Sequence, residues 1–195
     1  MVRDYDYQFV AGRLVLDFAN TVGYRFNPEK YEDHLSNAAD VRRWAKQARI
    51  DGFVASKPLN RAAIVTIREV RESAFAVFHA FAAGAPIPVP ALQLLDKRLR
   101  EYQAERRLSL RGGSVQWSWH PGARNVPTAM ILYPILTDAA DLLTSGAVNR
   151  VRHCADPDCG WLFTDRSNSG RRRWCRMADC GNRNKVKEFY RRRGE

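Results

Sequence analysis

The sequence predicts a mainly α-helical protein of the α+β kind, with a helical N-terminal domain, one small β-hairpin and a C-terminal four-cysteine module. Three observations lead there. Apolar residues recur at helical spacing in four segments before residue 146. The period changes to two in one clear stretch, around Gly112-Gly113. All four cysteines of the 195-residue chain lie in its last 42 residues.

The opening "YQFVAGRLVLDFANTV" fits a helix through Val15, Phe18 and Val22, although "RLVLDF" also alternates like a strand. The helix is the preferred reading. In "SNAADVRRWAKQARIDG", Ser36 or Asn37 can cap the first turn, and Val41, Trp44, Ala45 and Ala48 form the apolar stripe. Asp51-Gly52 should stop that helix. A long helix follows, capped by Asn60 and ended by Gly84, with Ile64, Ile67, Ala74, Phe75, Phe78 and Phe81 on one face. Pro86, Pro88 and Pro90 make an extended link, and Pro90 can open the next helix, which aligns Leu92, Leu95, Leu99 and Tyr102. "RRLSLRGGSVQWSWH" reads as a hairpin, because paired glycines tolerate the positive φ of a tight turn. A last helix covers about residues 128–145, with Pro134 either kinking it or marking its start, and Gly146 closing it.

These elements place a helical domain at residues 1–148 and a separate module at 149–195. The formal charge is +11, and residues 150–195 hold thirteen Lys/Arg against six Asp/Glu, a net of +7. This excess points to a polyanionic partner, nucleic acid before an anionic membrane surface. A basic solvated surface with no partner is the plain alternative. The charged N-terminus does not resemble a signal peptide. The longest apolar run, "AMILYPIL", is far shorter than the roughly 20 residues of a membrane span. A cytoplasmic protein is expected.

The cysteines fall as Cys154-x4-Cys159 and Cys175-x4-Cys180, with 15 residues between the pairs. Two pairs around a short insert match a structural zinc site, which prefers four soft ligands in a tetrahedron. Two disulfides or free thiols are the alternatives. The insert offers "GWLF" and "RRRW" as strands of a short hairpin about the turn "DRSNSG". Val186, Phe189 and Tyr190 lie at helical spacing, so a helix should start near Cys180. Knuckle, hairpin and helix form a treble-clef-like layout. So small a module needs metal binding to reach stability.

"CADPDC…RRRWCRMADCGNRNK" resembles the CGNR zinc finger, named for the tetrapeptide Cys180-Gly181-Asn182-Arg183. "GRLVLDFANTV", "DVRRWAKQARI" and "VRESAFAVFHAFAAGAPIP" resemble, in order, the ABATE domain that partners it. The resemblance spans nearly the whole chain. It implies that Cys154, Cys159, Cys175 and Cys180 bind one zinc, and that the protein is a bacterial stress-induced transcription regulator.

With four thiolates and one zinc the module keeps a charge of about +5, so it stays basic. Arg171, Arg172, Arg173, Arg176, Arg183, Lys185 and Lys187 are the candidate nucleic-acid contacts, DNA before RNA. Arg183, Asn184 and Lys187 can reach base edges if their helix enters the major groove. Plain structural roles compete with these. Asn182 can cap the helix, Arg183 can pair with Asp165 or Asp179, and Arg191, Arg192 and Arg193 suit a helix C-terminus. Trp161 and Trp174 can stack on bases or form a mini-core.

In the front domain, Asp17, Asn20, Thr21 and Trp44 are the candidate small-molecule contacts, with buried structural roles as the alternative. No Gly-rich phosphate loop, nucleophile elbow or paired-carboxylate motif is found, so no enzymatic activity is expected. The sequence therefore predicts a zinc-binding, DNA-binding regulator whose helical domain senses a ligand or pairs two copies. An RNA- or protein-binding module with purely structural zinc, or a small-molecule-processing enzyme, are the alternatives.

Overall fold

The fold is described from a computed structural model, which covers residues 6–50 and 58–194. The ambiguous opening is a short helix, α1 (Leu14–Ala19), and Val22 leaves it to join a two-residue strand. That strand, β1 (Val22–Gly23), pairs antiparallel with β2 (Glu32–Asp33). Helix α2 (Ala38–Gln47) starts on Asn37, whose side chain accepts from the amides of Ala39 and Asp40. Ser36 instead donates to the Asp40 carboxylate. Helix α2 ends at Gln47, and Arg49 turns the chain at φ 56°. The expected stop at Asp51-Gly52 lies outside the described residues.

Helix α3 (Arg61–Ala83) is the spine. Asn60 caps it through the amide of Ala63, and Gly84 closes it in the left-handed region at φ 64°. Its buried face holds Ile64, Ile67, Val70, Ala74, Val77 and Phe78, while Phe81 is exposed. Arg71 is buried on that same face. It forks onto both carboxylate oxygens of Asp33 at 2.6 and 2.9 Å and also reaches Glu72, tying the β1–β2 ribbon to the spine. Burial disfavours the Arg71 charge, but the Asp33 hydrogen bonds outweigh it and raise its pKa.

Helix α4 (Val89–Ala104) carries Pro90 in its first turn and buries Leu95 and Tyr102, leaving Leu92 exposed. Strands β3 (Arg106–Arg111) and β4 (Ser114–Trp119) form the expected hairpin about Gly112 and Gly113, at φ 54° and 80°. Helix α5 (Val126–Thr144) starts two residues earlier than predicted and contains Pro134, so that proline does not mark its start. Among the described residues, α5 alone has the length and apolar composition to cross a membrane. Here it is a core helix, burying Ile131, Leu132, Ile135, Leu136 and Leu142. A 3-10 turn at Gly146–Arg150 leads into β5 (Val151–His153), which pairs with β6 (Leu162–Thr164). After a π-helical turn at Met177–Gly181, α6 (Asn182–Arg193) ends the described chain. One apolar cluster runs from Val15 and Phe18 through α3 and α5 to Leu162, Phe163 and the four cysteines.

Asp17 is buried in this cluster and accepts from the amide of Ala11 at 2.9 Å. Burial pushes its carboxyl up to about 6, against the pull of the Ala11 and Val10 amides and with the help of nearby Asp138. The folded pKa lies above the unfolded value of 3.8, so the folded state favours the proton. That stabilisation is complete below about pH 4 and is lost as pH rises through about 6, at a cost of at most about 3 kcal/mol. Asp17→Asn keeps an oxygen for the Ala11 amide and removes the charge. Urea denaturation between pH 4 and 8 should show a flatter profile and a gain of about 1–2 kcal/mol at pH 7.5. An unchanged pH profile would remove Asp17 as its source.

Candidate metal centre and its basic surround

The metal site starts from two knuckles. In the first, the amide of Cys154 donates to the carbonyl of Trp161 at 2.8 Å, and the amide of Cys159 to that of Asp156 at 3.1 Å. This turns Cys154 and Cys159 toward one point. In the second, the π-turn over Met177–Gly181 swings Cys180 back toward Cys175. All four thiols are buried, and their sulfurs lie within 4.8 Å of one another. Cys159 and Cys175 are 3.7 Å apart, and Cys175 and Cys180 are 3.5 Å apart. A disulfide needs about 2.05 Å. Tetrahedral zinc with Zn–S bonds of about 2.3 Å spaces its sulfurs by about 3.8 Å. All four cysteines are free thiols, which sets the disulfide alternative aside. Hydrogen bonds from Cys159, Cys175 and Cys180 pull the Cys154 thiol down, while contacts with Cys154 and burial push Cys159 and Cys175 up. A dication would displace the thiol protons and make binding pH-dependent.

The strand pairing differs from the sequence expectation. "GWLF" pairs with β5, which precedes the first cysteine, through Val151↔Thr164 and His153↔Leu162. "RRRW" forms no strand, and the only backbone bond its arginines accept from the first knuckle is from Ala155 to Arg173. The reason is burial. Val151, Leu162 and Phe163 are all apolar and pack under α1 and α3, whereas Arg171–Arg173 cannot. The turn at 165–170 is held by Asp165, which accepts from the amides of Ser167 and Arg172.

The candidate ligand contacts prove to be structural ties. Asn20 accepts from the amide of Leu162 and donates to its carbonyl, both at 2.8 Å, so it continues the β6 edge as a strand would. Thr21 donates to the carbonyl of Phe18, Asp17 holds Ala11, and Trp44 packs against Phe18 at 5.2 Å between ring centroids. All four are buried. Trp161 donates its indole N–H to the carbonyl of Val22 at 2.9 Å, which makes it a link between the two parts of the chain rather than a mini-core. Gly160 sits so close to this seam that a Cβ would lie 2.8 Å from the Cβ of Arg25, at φ 72°.

Three candidate nucleic-acid residues are half-buried and tied to the fold. Arg183 bonds Asp156 Oδ2 at 2.8 and 2.6 Å, not Asp165 or Asp179, and its guanidinium lies 5.4 Å from the Tyr24 ring centroid. Asn184 donates to the same oxygen at 2.8 Å and to the Cys180 carbonyl at 2.9 Å. Arg172 donates to the carbonyls of Val10, Trp174 and Cys175 and lies over the Phe163 ring. Asn182 does not cap α6. It is exposed and reaches only the Ala178 carbonyl, at 3.3 Å. Sequence reasoning missed Asp156, the buried acceptor that Arg183 and Asn184 share. Its signal was the "CADPDC" knuckle, an acid inside a loop that also carries two zinc-type cysteines.

The other basic residues face outward. Arg171, Arg173 and Arg176 are exposed along a groove of about 540 Å³ that also includes Trp174 and Met177. Arg173 lies over the Trp174 ring at 5.1 Å, and Arg176 meets Gln8 at 2.9 Å and Asp179 at 3.5 Å. On α6, Lys185 and Lys187 are exposed, with Lys187 3.9 Å from Asp158. Arg191 and Arg192 pair with Glu188. The helix that the spacing of Val186, Phe189 and Tyr190 predicts near Cys180 is α6, but it buries none of its residues, so these three are surface groups.

Comparison with known families supplies the frame. Residues 12–146 match the ABATE family, described as "putative stress-induced transcription regulator". Residues 150–193 match the CGNR zinc finger. No curated protein matches the chain. The two matches meet at the 3-10 turn that leads into the first knuckle, and the thiol cluster lies wholly inside the second. The chain belongs to the ABATE family, and its CGNR finger carries a structural zinc.

Proposed function

We propose that the chain is a DNA-binding bacterial transcriptional regulator of the cytoplasm, in which Cys154, Cys159, Cys175 and Cys180 ligate one zinc with a structural role. The observation that carries this reading is the outward basic groove of Arg171, Arg173 and Arg176 beside the third cysteine. Arginines on a rigid zinc knuckle suit phosphate contacts, which supply affinity without sequence information. Base readout passes to the free side of α6. Asn182, Lys185, Val186 and Phe189 fall at i, i+3, i+4 and i+7 and are all exposed. Asn suits adenine, Lys suits guanine, and the apolar pair suits thymine methyls. This stripe replaces Arg183 and Asn184, which are tied to Asp156.

The front domain acts as the sensor or pairing part of this regulator, with no catalysis assigned to it. A cavity of about 410 Å³ between α3, α4 and α5 supports the sensor role. Leu95, Leu99, Leu136, Ala139 and Leu143 line it, so it fits an apolar small molecule. Its floor helix, α5, runs directly through the 3-10 turn and β5 to Cys154, which gives a short covalent path to the finger.

Fluorescence anisotropy with genomic duplex fragments tests the DNA reading. Arg171, Arg173 and Arg176 changed together to Ala should weaken all fragments alike and reduce the salt slope by about 2–3. Asn182→Ala with Lys185→Ala should narrow the gap between best and worst fragments. Binding that ignores salt, or a preference for structured RNA at matched salt, would overturn it.

A further inference from the structure

The β3–β4 hairpin has the sequence of a half-buried ribbon, yet its apolar side is open. Apolar and polar residues alternate along both strands, which is the pattern of a sheet with one covered face. The register pairs Leu108 with Trp117 and Leu110 with Val115, so these four side chains share one face as cross-strand neighbours. They are 62%, 55%, 71% and 68% exposed in that order. Arg107, Ser109, Arg111, Ser114, Gln116 and Ser118 occupy the other face. Only the base of the ribbon is anchored. Trp119 meets Tyr133 edge-on at 6.0 Å, and Arg106 lies over both rings and over Trp117. Beyond that base no described element covers the quartet.

We infer that two copies of this chain pair through this face, Leu108, Leu110, Val115 and Trp117 of one against the same residues of the other. Four such side chains offer roughly 400–500 Å² of contiguous apolar surface, near the top of what a monomer leaves open. A two-stranded ribbon with one apolar face is marginal in water, so covering it stabilises the ribbon itself. The quartet holds no hydrogen-bonding group apart from the Trp117 indole, so little in it would orient a different partner. A two-fold axis makes a flat apolar rectangle its own complement. One charge, Arg106, shares the quartet's face at its base, where it stacks on Trp117 and Trp119, and the ribbon's other charges, Arg107 and Arg111, sit on the far face, away from the pairing surface. The area is below the ~800 Å² per partner of a standard interface, so the dimer is a micromolar one. The inference rests on the pairing half of the proposed function and is independent of DNA binding.

Sedimentation equilibrium of the full zinc-loaded chain over roughly 1–100 µM tests it. A monomer–dimer equilibrium is expected, and Leu110→Ser with Val115→Ser should raise its Kd at least about tenfold. Circular dichroism and zinc content should not change, because both side chains are on the surface. Arg107→Ala with Gln116→Ala, on the far face, should leave the Kd unchanged. A wild type that stays monomeric at the highest concentration would overturn both the inference and the pairing reading. A dimer indifferent to the Leu110 and Val115 changes would overturn the inference alone. Monomers that bind phosphatidylglycerol vesicles through Leu110 and Val115 would assign the face to a membrane instead.

Discussion

Cys180→Ser is expected to strip the protein of zinc and to melt its C-terminal end while leaving the front domain folded. Zinc needs thiolates here, and a serine hydroxyl stays protonated at neutral pH and binds it weakly. Structural zinc contributes on the order of 10 kcal/mol of apparent folding free energy in small modules. The loss should not be uniform. Strands β5 and β6 are held from the front domain by Asn20, by the Thr164 amide on the Ala11 carbonyl, and by the buried Val151, Leu162 and Phe163. Helix α6 has less support: none of its twelve residues is buried, and its main ties, Arg183 and Asn184 to Asp156, lie within the finger that zinc holds together. An isolated helix of that length is marginal in water. Trypsin should therefore cut at Arg171–Arg176 and through α6 within minutes, while the chain up to Thr164 resists. Elemental analysis should fall from about one zinc per chain to near none. A variant with full zinc and wild-type protease resistance would remove Cys180 from the ligand set.

What the sequence made legible was local. Asn37, Asn60 and Gly84 mark helix ends because capping depends on residues one turn apart. The paired glycines mark the hairpin for the same reason, and four cysteines carry their own chemistry. What failed was non-local. Strand β6 had two neighbours of similar length, and burial under α1 and α3 decided for β5. Asp17, Asn20 and Thr21 look like ligand contacts because polar groups on an apolar segment need partners. The partners turn out to be Ala11, Leu162 and Phe18, one of them about 140 residues away. Arg183 reads as a nucleic-acid contact or as the partner of Asp165 or Asp179, and nothing local singles out Arg71, because an arginine's partner is rarely its sequence neighbour. Only the fold brings Asp33 and Asp156 to them. The spacing of Val186, Phe189 and Tyr190 marks α6 correctly as a helix, but spacing alone does not say that all three stay exposed.

Asp156→Ala should cost about 2–3 kcal/mol and lower the melting temperature by roughly 5–10 °C in a chain of this size. Asp156 is 1% exposed. Its Oδ1 accepts from the amide of Asp158 at 3.0 Å, and its Oδ2 accepts from Arg183 and Asn184. It therefore joins the first knuckle to α6 and, through Arg183, to Tyr24 of the front domain. Breaking a fully buried pair costs about 3–5 kcal/mol, but the Arg183 side chain keeps 32% of its surface, so the water it regains lowers the figure. Zinc affinity should fall as well, by about tenfold or more, because Arg183 and Asn184 also bond the sulfur and carbonyl of Cys180. Asp156→Asn, which keeps one acceptor, should cost about half as much. Arg183→Ala should show a similar loss, and the double variant should lose less than the sum, with a coupling above about 1 kcal/mol. These two variants also separate structure from readout at the CGNR arginine. If Arg183 reads a base, Arg183→Ala will weaken DNA binding while melting temperature and zinc affinity stay at wild type. If it is the strut its bonds describe, stability and zinc affinity fall together, and the discrimination among DNA fragments set by Asn182 and Lys185 remains.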